Sequence, residues 1–319
     1  MSKVATVTTL RGPLRPTLEF VAYHRNVGVA EVIIFFDDPT DPAIEALRGW
    51  PGVTTVPMDA AYRAAVGITS TDSLEARQQT NTTRGRVMAR ELGCTWTVHI
   101  DSDELLHAPG GLPGAFDAVP PSRQAVRVPV IEAVPARVDD ADPFRTVDTF
   151  RVPVAGARRR LAEVLGGGDA FFAGKYLRAH ALGKPAIRTD AEVVRFVGQF
   201  PAFAATGKRL KKGLPPMAGV RLMHHDASNL AVFIRKWGWR LDGTANAQLM
   251  AGSRQAQYEA FAAVAGDDAA VERLYRRLYM LGRRERIVLR ALGLLTTVRL
   301  DQRLFDPPDP PDGRDGRPT

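Results

Sequence analysis

Apolar and polar residues alternate along the first hundred positions in blocks that predict strands separated by helices. A continuous apolar run such as Val32 to Phe36 is typical of a parallel strand buried on both faces. Between such runs, apolar residues recur at helical spacing and stop at glycine. The predicted strands are residues 4–10, 32–36, 53–58 and 95–100, and the predicted helices are residues 18–27, 42–50 and 72–93. Strands joined by helical crossovers predict an α/β fold with a Rossmann-like, mostly parallel sheet flanked by helices.

The rest of the chain is less regular and then becomes helical. Residues 110–226 contain a strand within 123–135, further short strands, and loops of the kind that shape substrate sites. Helical spacing follows, and the last residues are rich in Pro and Asp, which is typical of disorder. The predicted organisation is a main domain over 1–227, a C-terminal helical region over 228–303 that packs on it, and a disordered tail over 304–319.

Acidic residues follow two of the apolar strands at the point where each strand ends. Asp37 and Asp38 follow one strand, and Asp101 and Asp103 follow another. Ligands of parallel α/β sheets bind outside the carboxyl ends of the strands, so both clusters are expected on the same rim. Carboxylates at 101 and 103 can converge on one hard cation, Mg²⁺ or Mn²⁺, that bridges the phosphates of a substrate. The alternative interpretation is an ordinary acidic turn that caps the next segment.

The cluster after the earlier strand has two interpretations. Asp37 or Asp38 would accept hydrogen bonds from a nucleobase or a ribose. As structure, Asp38 would begin a turn, and Asp41 would cap the following helix. We assign Asp41 to capping and leave the choice between Asp37 and Asp38 open.

A pair of histidines late in the chain offers a further metal ligand. His224, His225 and Asp226 follow an apolar segment. Neighbouring residues on a strand point to opposite faces, so at most one of the two imidazoles is expected to bind the cation. The alternative is a histidine that hydrogen-bonds the backbone where the next helix begins.

The formal net charge of +8 favours an anionic partner: a nucleotide diphosphate, nucleic acid or anionic lipid. An arginine-rich composition of high genomic GC content explains the charge equally well. Five basic residues are candidates for neutralising a diphosphate: Arg77, Arg84, Lys175, Lys184 and Arg188. Arg77 stands out because it lies near the start of the long helix that leads into the predicted metal strand.

Cysteine content and hydropathy limit the class of protein. The single Cys94 excludes a disulfide framework and a cysteine-based zinc cluster. The opening residues lack the apolar run of a secretory signal, and no apolar stretch approaches the ~20 residues of a spanning helix. We therefore expect a cytoplasmic protein, either soluble or peripheral on the inner face of the membrane.

Three segments, in this order, resemble glycosyltransferases of the GT-A fold, in particular the family 2-like and family 92-like groups. The segments are LEFVAYHRNVGVAEVIIFFDDPTD, EARQQTNTTRGRVMARELGCTWTVHIDSDELL and HHDASNLAVFIRKW. They span roughly the first third of the chain and a patch near 224–237. The resemblance implies a GT-A fold with a C-terminal helical extension, and an acidic DXD metal motif at 101–103.

The resemblance also implies roles for individual residues. Thr8, Thr9 and Asp37 correspond to the nucleoside-binding edge, and Asp103 to the direct metal ligand. His224 corresponds to a late histidine that completes the metal or diphosphate site, and Lys236 to a residue that stabilises its loop. The chain departs from the family 2 pattern in its DDPTD turn and in lacking the usual acidic pair after the metal motif. The candidates for a catalytic base are Asp169, Asp190 and Glu192.

The predicted reaction is transfer of a sugar from a nucleoside diphosphate sugar to a hydroxyl acceptor, which would be a glycan, a lipid-linked molecule or a small molecule. Inversion follows by analogy with both groups. One alternative is a nucleotidyltransferase, which predicts a Gly-rich loop near the first strand, whereas LRGPLRP has a single Gly. The other is a nucleic-acid-binding protein, although the basic residues are dispersed rather than arranged as in a known module, and we expect no specific nucleic acid.

The arginine-rich segment 271–300 is predicted to be one helix with interspersed leucines and valine. It either packs on the core and exposes its arginines to water, or it lies on an anionic membrane near the acceptor.

Overall fold

The computed structural model describes residues 1–154, 160, 171, 176–178, 182–197, 200–203, 214–243 and 252–307, with the backbone alone for 194–197 and 200–203. The strands are β1 Val4–Leu10, β2 Glu31–Phe36, β3 Val53–Pro57, β4 Trp96–His99, β5 Glu104–His107, β6 Ala125–Val128, β7 Val130–Ala133, β8 Thr149–Arg151, β9 Lys184–Arg188, β10 Val193–Val197, β11 Phe200–Phe203, β12 Arg221–His224 and β13 Leu295–Thr297. The helices are α1 Leu14–Asn26, α2 Pro42–Ala46, α3 Ala60–Val66, α4 Leu74–Glu91, α5 Leu112–Asp117, α6 Pro143–Thr146, α7 Leu230–Leu241, α8 Ser253–Ala262, α9 Asp268–Tyr279, α10 Arg283–Ala291 and a 3-10 helix Gln302–Phe305.

The chain divides into two compact units that interleave along the sequence. Unit 1 contains Met1–Val128, Lys184–Arg221 and the chain from Asp301 onward, and unit 2 contains Pro129–Gly183 and Leu222–Leu300. The predicted division placed boundaries after residues 227 and 303. In the structure, residues 129–183 belong to the same unit as the C-terminal helices.

A six-stranded sheet in the order β3-β2-β1-β4-β9-β6 forms the centre of unit 1. The first four strands in this order run parallel, as the sequence pattern predicts. β9 pairs antiparallel with β4, and β6 pairs antiparallel with β9. The mixed α/β fold with a mostly parallel sheet is therefore confirmed.

Helix α4 lies close against β1 because Gly85 faces the strand. A Cβ atom added to Gly85 would lie 2.6 Å from the nearest side-chain atom of Val7, which is shorter than a normal contact between non-bonded carbon atoms. Ser73 caps α4 by accepting a hydrogen bond from the N–H of Ala76. Asp41 likewise caps α2 by accepting from the N–H of Ala43, so the prediction that Asp41 serves as a cap is confirmed.

Helix α1 is fixed by polar contacts to the backbone of β5. The Tyr23 hydroxyl donates to the carbonyl of Leu106, and the His24 Nε2 accepts from the N–H of the same residue. Asn26, at the end of α1, donates to the carbonyls of Leu304 and Asp306, which ties the chain beyond Asp301 to this helix.

Unit 2 has a mixed sheet and an aromatic core. Strands β13, β8, β7 and β12 are neighbours in that order, with β7 and β12 parallel and the other pairs antiparallel. Helices α7, α8 and α9 pack together through buried rings. The rings are Phe233, Trp237, Phe261, Tyr275 and Tyr279.

The prediction of one helix over 271–300 is wrong. Helix α9 ends at Tyr279, α10 occupies Arg283–Ala291, and β13 follows. Met280 is extended and Gly282 caps α10, while Gly293 adopts a left-handed φ of +67° just after α10. Glycine takes that conformation readily, so it ends the helix there. Among the described residues, no helix combines the length and apolar composition that crossing a bilayer requires.

Candidate functional site

The carboxyl ends of β2, β1 and β4 lie side by side in unit 1 and carry the predicted polar residues. Thr9 is near the end of β1, Asp37 directly follows β2, and Asp101 lies two residues after the end of β4. Helix α4 connects all three positions. The Arg77 guanidinium contacts Asp37, the Gln78 amide donates to Asp101 over 2.9 Å, and the Asn81 amide donates to the Thr9 hydroxyl over 2.8 Å. The structure therefore brings the two acidic clusters to one rim, as predicted.

Two arginines hold the carboxylate of Asp37. Arg77 approaches Oδ1 at 3.1 Å through Nε and Oδ2 at 3.2 Å through Nη2. Arg63 stands 3.4 Å from Oδ1 and donates to the backbone carbonyl of Asp37 as well. The predicted hydrogen bond from a nucleobase or ribose to Asp37 would compete with these two guanidinium groups.

Asp38 has a different environment from its neighbour. Its Oδ1 accepts hydrogen bonds from the hydroxyl and the N–H of Thr40, and these bonds lower the pKa of the carboxyl. Asp38 therefore begins the predicted turn. Within the described parts of the chain, its Oδ2 has no hydrogen-bond partner.

A fully buried lysine holds Asp101. The Nζ atom of Lys184 lies 2.6 Å from Asp101 Oδ2 and 3.0 Å from Glu104 Oε2. Glu104 in turn accepts the backbone N–H of Asp101 over 2.7 Å. Both carboxylate oxygens of Asp101 are thus engaged, Oδ2 by Lys184 and Oδ1 by Gln78.

The charges of this group shift each other's pKa. Burial alone would raise the pKa of Asp101, but the charge of Lys184, its hydrogen bond to Asp101 and the nearby His99 together outweigh burial and lower the pKa to about 2. Burial alone would lower the pKa of Lys184, but the carboxylates of Asp101 and Glu104 outweigh it and raise that pKa. The carboxylate and the ammonium are therefore both charged at neutral pH.

The direction of β9 explains how Lys184 reaches Asp101. Ala186 pairs with Val98, so Lys184, two residues earlier on an antiparallel strand, lies at the carboxyl end of β4. The same direction carries the end of β9 to the opposite edge of the sheet, where Arg188 pairs with Trp96.

Two of the predicted catalytic bases therefore lie away from Asp101. Asp190 and Glu192 follow the end of β9 and are exposed to solvent at the opposite edge of the sheet. Arg86 anchors this turn by donating to the carbonyls of Thr189 and Ala191. The third candidate, Asp169, lies outside the described residues.

The remaining predicted basic residues differ in position. Arg84 is exposed on α4, and Arg188 stacks over the Trp96 ring at 4.3 Å at the amino-terminal edge of β4. Lys175 lies outside the described residues.

The two threonines of β1 have different surroundings. Thr9 accepts from Asn81, whose own amide oxygen accepts from the Tyr62 hydroxyl. Thr8 is fully buried, and its hydroxyl has no hydrogen-bond partner among the described residues. Thr9 belongs to the linked rim, whereas Thr8 lies inside unit 1.

His99, which the sequence did not single out, lies two residues before Asp101. Its side chain is buried, and both ring nitrogens lack a hydrogen-bond partner among the described residues. Burial, assisted by the charge of Lys184, lowers its pKa to about 4, so the imidazole is neutral at physiological pH.

In unit 2, the His-His-Asp motif begins at His224, the last residue of β12, and contacts α7 and α8. Asp226 is buried and pairs with Lys236 and with Arg254, the latter at 3.0 Å. Burial alone would raise the pKa of Asp226, but Arg254 and Lys236 hold it well below its usual range. Lys236, predicted to stabilise this loop, is thus placed against it.

The two histidines of the motif are both buried. His225 packs edge-on against Phe144 at 5.1 Å and Phe150 at 5.6 Å between ring centres, which makes it a core side chain of unit 2. His224 is paired in register with Glu132 of β7.

Sequence reasoning missed Arg63, Gln78 and Asn81, and it treated Lys184 only as a diphosphate partner. A signal for two of them was available, because Gln78 and Asn81 follow Arg77 by one and four residues on the helix that leads into β4. Lys184 gave no such signal, since its strand joins the sheet from a distant part of the chain.

Comparisons with known proteins give structural likenesses of low identity. No protein-family profile matches the chain, and no curated protein matches it. A 4-diphosphocytidyl-2C-methyl-D-erythritol synthase from Anaerococcus prevotii matches at 12% identity over 59% of this chain and 72% of that chain, with a TM-score of 0.28. A CMP:2-keto-3-deoxy-manno-octonic acid synthetase in complex with CTP matches at 16% identity over 59% of this chain and 75% of that chain, with a TM-score of 0.27.

Proposed function

We propose that the protein is a metal-dependent glycosyltransferase that moves a sugar from a nucleoside diphosphate sugar to a hydroxyl acceptor, with inversion. The observation that supports this most is the rim of unit 1. There, side chains of α4 contact Thr9, Asp37 and Asp101, and the buried Lys184 forms an ion pair with Asp101. Ligands of such sheets bind at this rim, and a charged carboxylate held at Asp101 would orient the acidic motif toward a cation–diphosphate complex.

The contacts of Asp101 indicate different roles for Asp101 and Asp103. Its two oxygens already accept from Lys184 and Gln78, so we assign direct binding of Mn²⁺ or Mg²⁺ to Asp103 and a positioning role to Asp101. The cation would neutralise the leaving diphosphate, which is electrostatic stabilisation of the transition state. His224, predicted from the sequence as a further ligand, is tested by its own variant.

The contacts of the earlier acidic cluster favour Asp38 for the nucleoside. Asp37 is held by Arg63 and Arg77, whereas Thr40 orients Asp38 and leaves Oδ2 for a base or ribose donor. Arg77 then acts by holding Asp37 and the end of β2 in place.

An inverting reaction needs a carboxylate that takes the proton of the acceptor hydroxyl. Asp190 and Glu192 lie at the opposite edge of the sheet from Asp101, so Asp169 remains the prediction for this role. Asp169→Asn should lower kcat and leave the affinity for the donor unchanged.

Nucleotidyl transfer is the alternative that the experiment must distinguish from glycosyl transfer. It predicts a Gly-rich phosphate loop after the first strand. The connection from β1 to α1 is only Arg11, Gly12 and Pro13. This short connection favours glycosyl transfer.

The test is a screen of thermal stabilisation by UDP-, GDP- and dTDP-sugars and by nucleoside triphosphates, each with and without Mn²⁺. We expect one nucleoside diphosphate sugar to raise Tm only with the cation, and Asp103→Ala to abolish that rise. Asp139→Ala, at an exposed acid of unit 2, is the matched control and should behave like the parent.

Other results would contradict the proposal. If no nucleotide sugar stabilises the parent, or if Asp103→Ala responds like the parent, the metal-dependent transferase is excluded. Stabilisation by a triphosphate together with pyrophosphate release would favour nucleotidyl transfer instead. His224→Ala reports separately, and a cation affinity equal to the parent's would remove His224 from the ligand set.

A further inference from the structure

Helices α9 and α10 of unit 2 expose several arginines to solvent, of which Arg276 is paired with Glu272. Exposed arginines occupy both helices: Arg273, Arg276, Arg277, Arg283, Arg284 and Arg290. We call this set the arginine surface. Helix α10 alone contains four arginines and one glutamate, and that Glu285 already accepts the N–H of Gly282.

Two exposed apolar side chains lie among these arginines. Ile287 is 61% exposed and Val288 is 43% exposed, and Ile287 is the most exposed large apolar side chain after Met1 among the described residues. The next residue, Leu289, is buried and holds α10 against the core of unit 2. The outward face of α10 is therefore apolar at its centre, although no packing requirement of the unit places an isoleucine there.

Helical geometry sets the arginines beside the apolar pair. Arg283 precedes Ile287 by four residues and Arg284 precedes Val288 by four, so each arginine lies one turn from an apolar neighbour on the same face. Neither Arg283 nor Arg284 has a carboxylate within ion-pair distance in the described part of the chain. Their charges are available to an external anion.

We propose that α10 docks on an anionic bilayer surface, with Ile287 and Val288 in the boundary between headgroups and acyl chains and Arg283 and Arg284 against lipid phosphates. Amphipathic helices that bind at bilayer surfaces likewise combine exposed apolar residues with neighbouring basic residues. Basic side chains near a bilayer of anionic lipid add attraction that falls off within a Debye length. This inference is independent of the proposed transferase, because it rests on unit 2 alone.

The chemistry favours a bilayer over the other anions. Free phosphate or nucleic acid would use the arginines but gain nothing from Ile287 and Val288. A lipid surface uses both, so the contribution of the apolar pair distinguishes the partners.

The test is co-sedimentation of the full chain with vesicles of phosphatidylcholine alone and of phosphatidylcholine mixed with phosphatidylglycerol. We expect binding to the mixed vesicles that weakens as salt rises, and little binding to phosphatidylcholine alone. Ile287→Asp/Val288→Asp and Arg283→Glu/Arg284→Glu should each weaken binding by about tenfold or more. All four positions are solvent-facing, so Tm should match the parent and show that the variants fold.

Two control variants test whether any exposed apolar residues or any exposed arginines have the same effect as those of α10. Ile234→Asp/Leu241→Asp changes two apolar residues of α7 that are 41% and 44% exposed, and Arg15→Glu/Arg48→Glu changes two exposed arginines of unit 1. Both should lose far less binding than the α10 variants.

Several results would overturn the inference. They are absence of binding to the mixed vesicles, equal binding to both vesicle types, or losses in the controls equal to those in the α10 variants. The inference would also fail if binding to vesicles or to a DNA duplex depended on Arg283 and Arg284 but not on Ile287 and Val288. Charge alone would then explain the binding.

Discussion

At the scale of single residues, the acidic rim of unit 1 depends on a buried ammonium group. Lys184 lies between the carboxylates of Asp101 and Glu104, and its side chain is completely shielded from water. A buried charge is tolerated only with well-placed partners, and removing one partner leaves the others uncompensated. The geometry of the candidate site and the stability of unit 1 are therefore linked through one side chain.

Lys184→Met should destabilise the protein by about 3–5 kcal/mol, because the buried carboxylate of Glu104 and the partly exposed carboxylate of Asp101 would lose their counter-charge. The variant should also lose Mn²⁺-dependent stabilisation by a nucleotide sugar, since Asp101 would no longer be held in place. Urea unfolding and a cation titration measure the two effects. Lys3→Met, at an exposed lysine, is the control and should leave both unchanged. Glu104→Gln added to Lys184→Met should recover part of the stability, and parental stability of Lys184→Met alone would contradict the argument.

His24 gives a prediction for pH. Its Nδ1–H donates to the carbonyl of Phe20 and its Nε2 accepts from Leu106, so the folded protein holds the neutral imidazole. Burial lowers its pKa from 6.5 to about 4. The unfolded chain binds the proton first, so the free energy of unfolding should fall as pH drops from about 6.5 to about 4, by at most about 3 kcal/mol from this group.

His24→Gln should flatten this pH dependence, because glutamine offers a donor and an acceptor without titrating in this range. The measurement is urea unfolding of parent and variant between pH 4 and pH 7, the interval that the pKa shift of His24 defines. His99 shifts in the same direction, so a smaller slope should remain. An identical slope in parent and variant would show that His24 does not contribute.

At the scale of elements, the sequence predicts those parts of the fold that have local signals. The strands up to β4 are short apolar runs bounded by turns, and their acidic ends follow from parallel pairing. β9 joins the sheet from nearly ninety residues beyond β4 and runs antiparallel, which no local pattern specifies. That strand brings Lys184 to the site and carries Asp190 and Glu192 to the opposite edge. The break between α9 and α10 had a local signal, Gly282. The helical spacing of the leucines nevertheless led to the prediction of one continuous helix.

The contact of α4 with β1 yields a prediction about glycine. Gly85→Ala should destabilise by about 1–3 kcal/mol, because the new Cβ would clash with Val7 although alanine is the better helix former. Gly238→Ala is the matched control: this glycine lies within α7 with nothing within 4 Å of the added Cβ. It should stabilise by about 0.5–1 kcal/mol. Urea unfolding compares the two, and Val7→Ala should relieve the clash in Gly85→Ala. A gain in stability at both positions would mean that α4 moves away from β1 without cost.

At the scale of the whole molecule, the positive charge suits the anionic donor that we propose. The chain carries a formal net charge of +8, and a positive protein attracts a nucleoside diphosphate sugar over distances set by ionic strength. The field is long-ranged at low salt and screened within about 10 Å at 0.1 M. Charges far from the site therefore influence how fast the donor arrives, but not how firmly it is held once bound.

Arg90→Glu/Arg123→Glu, at two exposed arginines on the side of the sheet opposite to the site, lowers the net charge from +8 to +4, since each change removes one positive and adds one negative charge. We expect the association rate constant of the donor, measured by stopped-flow fluorescence at low salt, to fall several-fold, and the dissociation rate constant to stay the same. The difference between parent and variant should vanish at about 1 M salt, where the Debye length is about 3 Å. An uncharged nucleoside is the control ligand and should associate equally fast with both proteins. If the low-salt rate constants of parent and variant agree for the charged donor, the net charge reflects composition alone and does not steer the substrate.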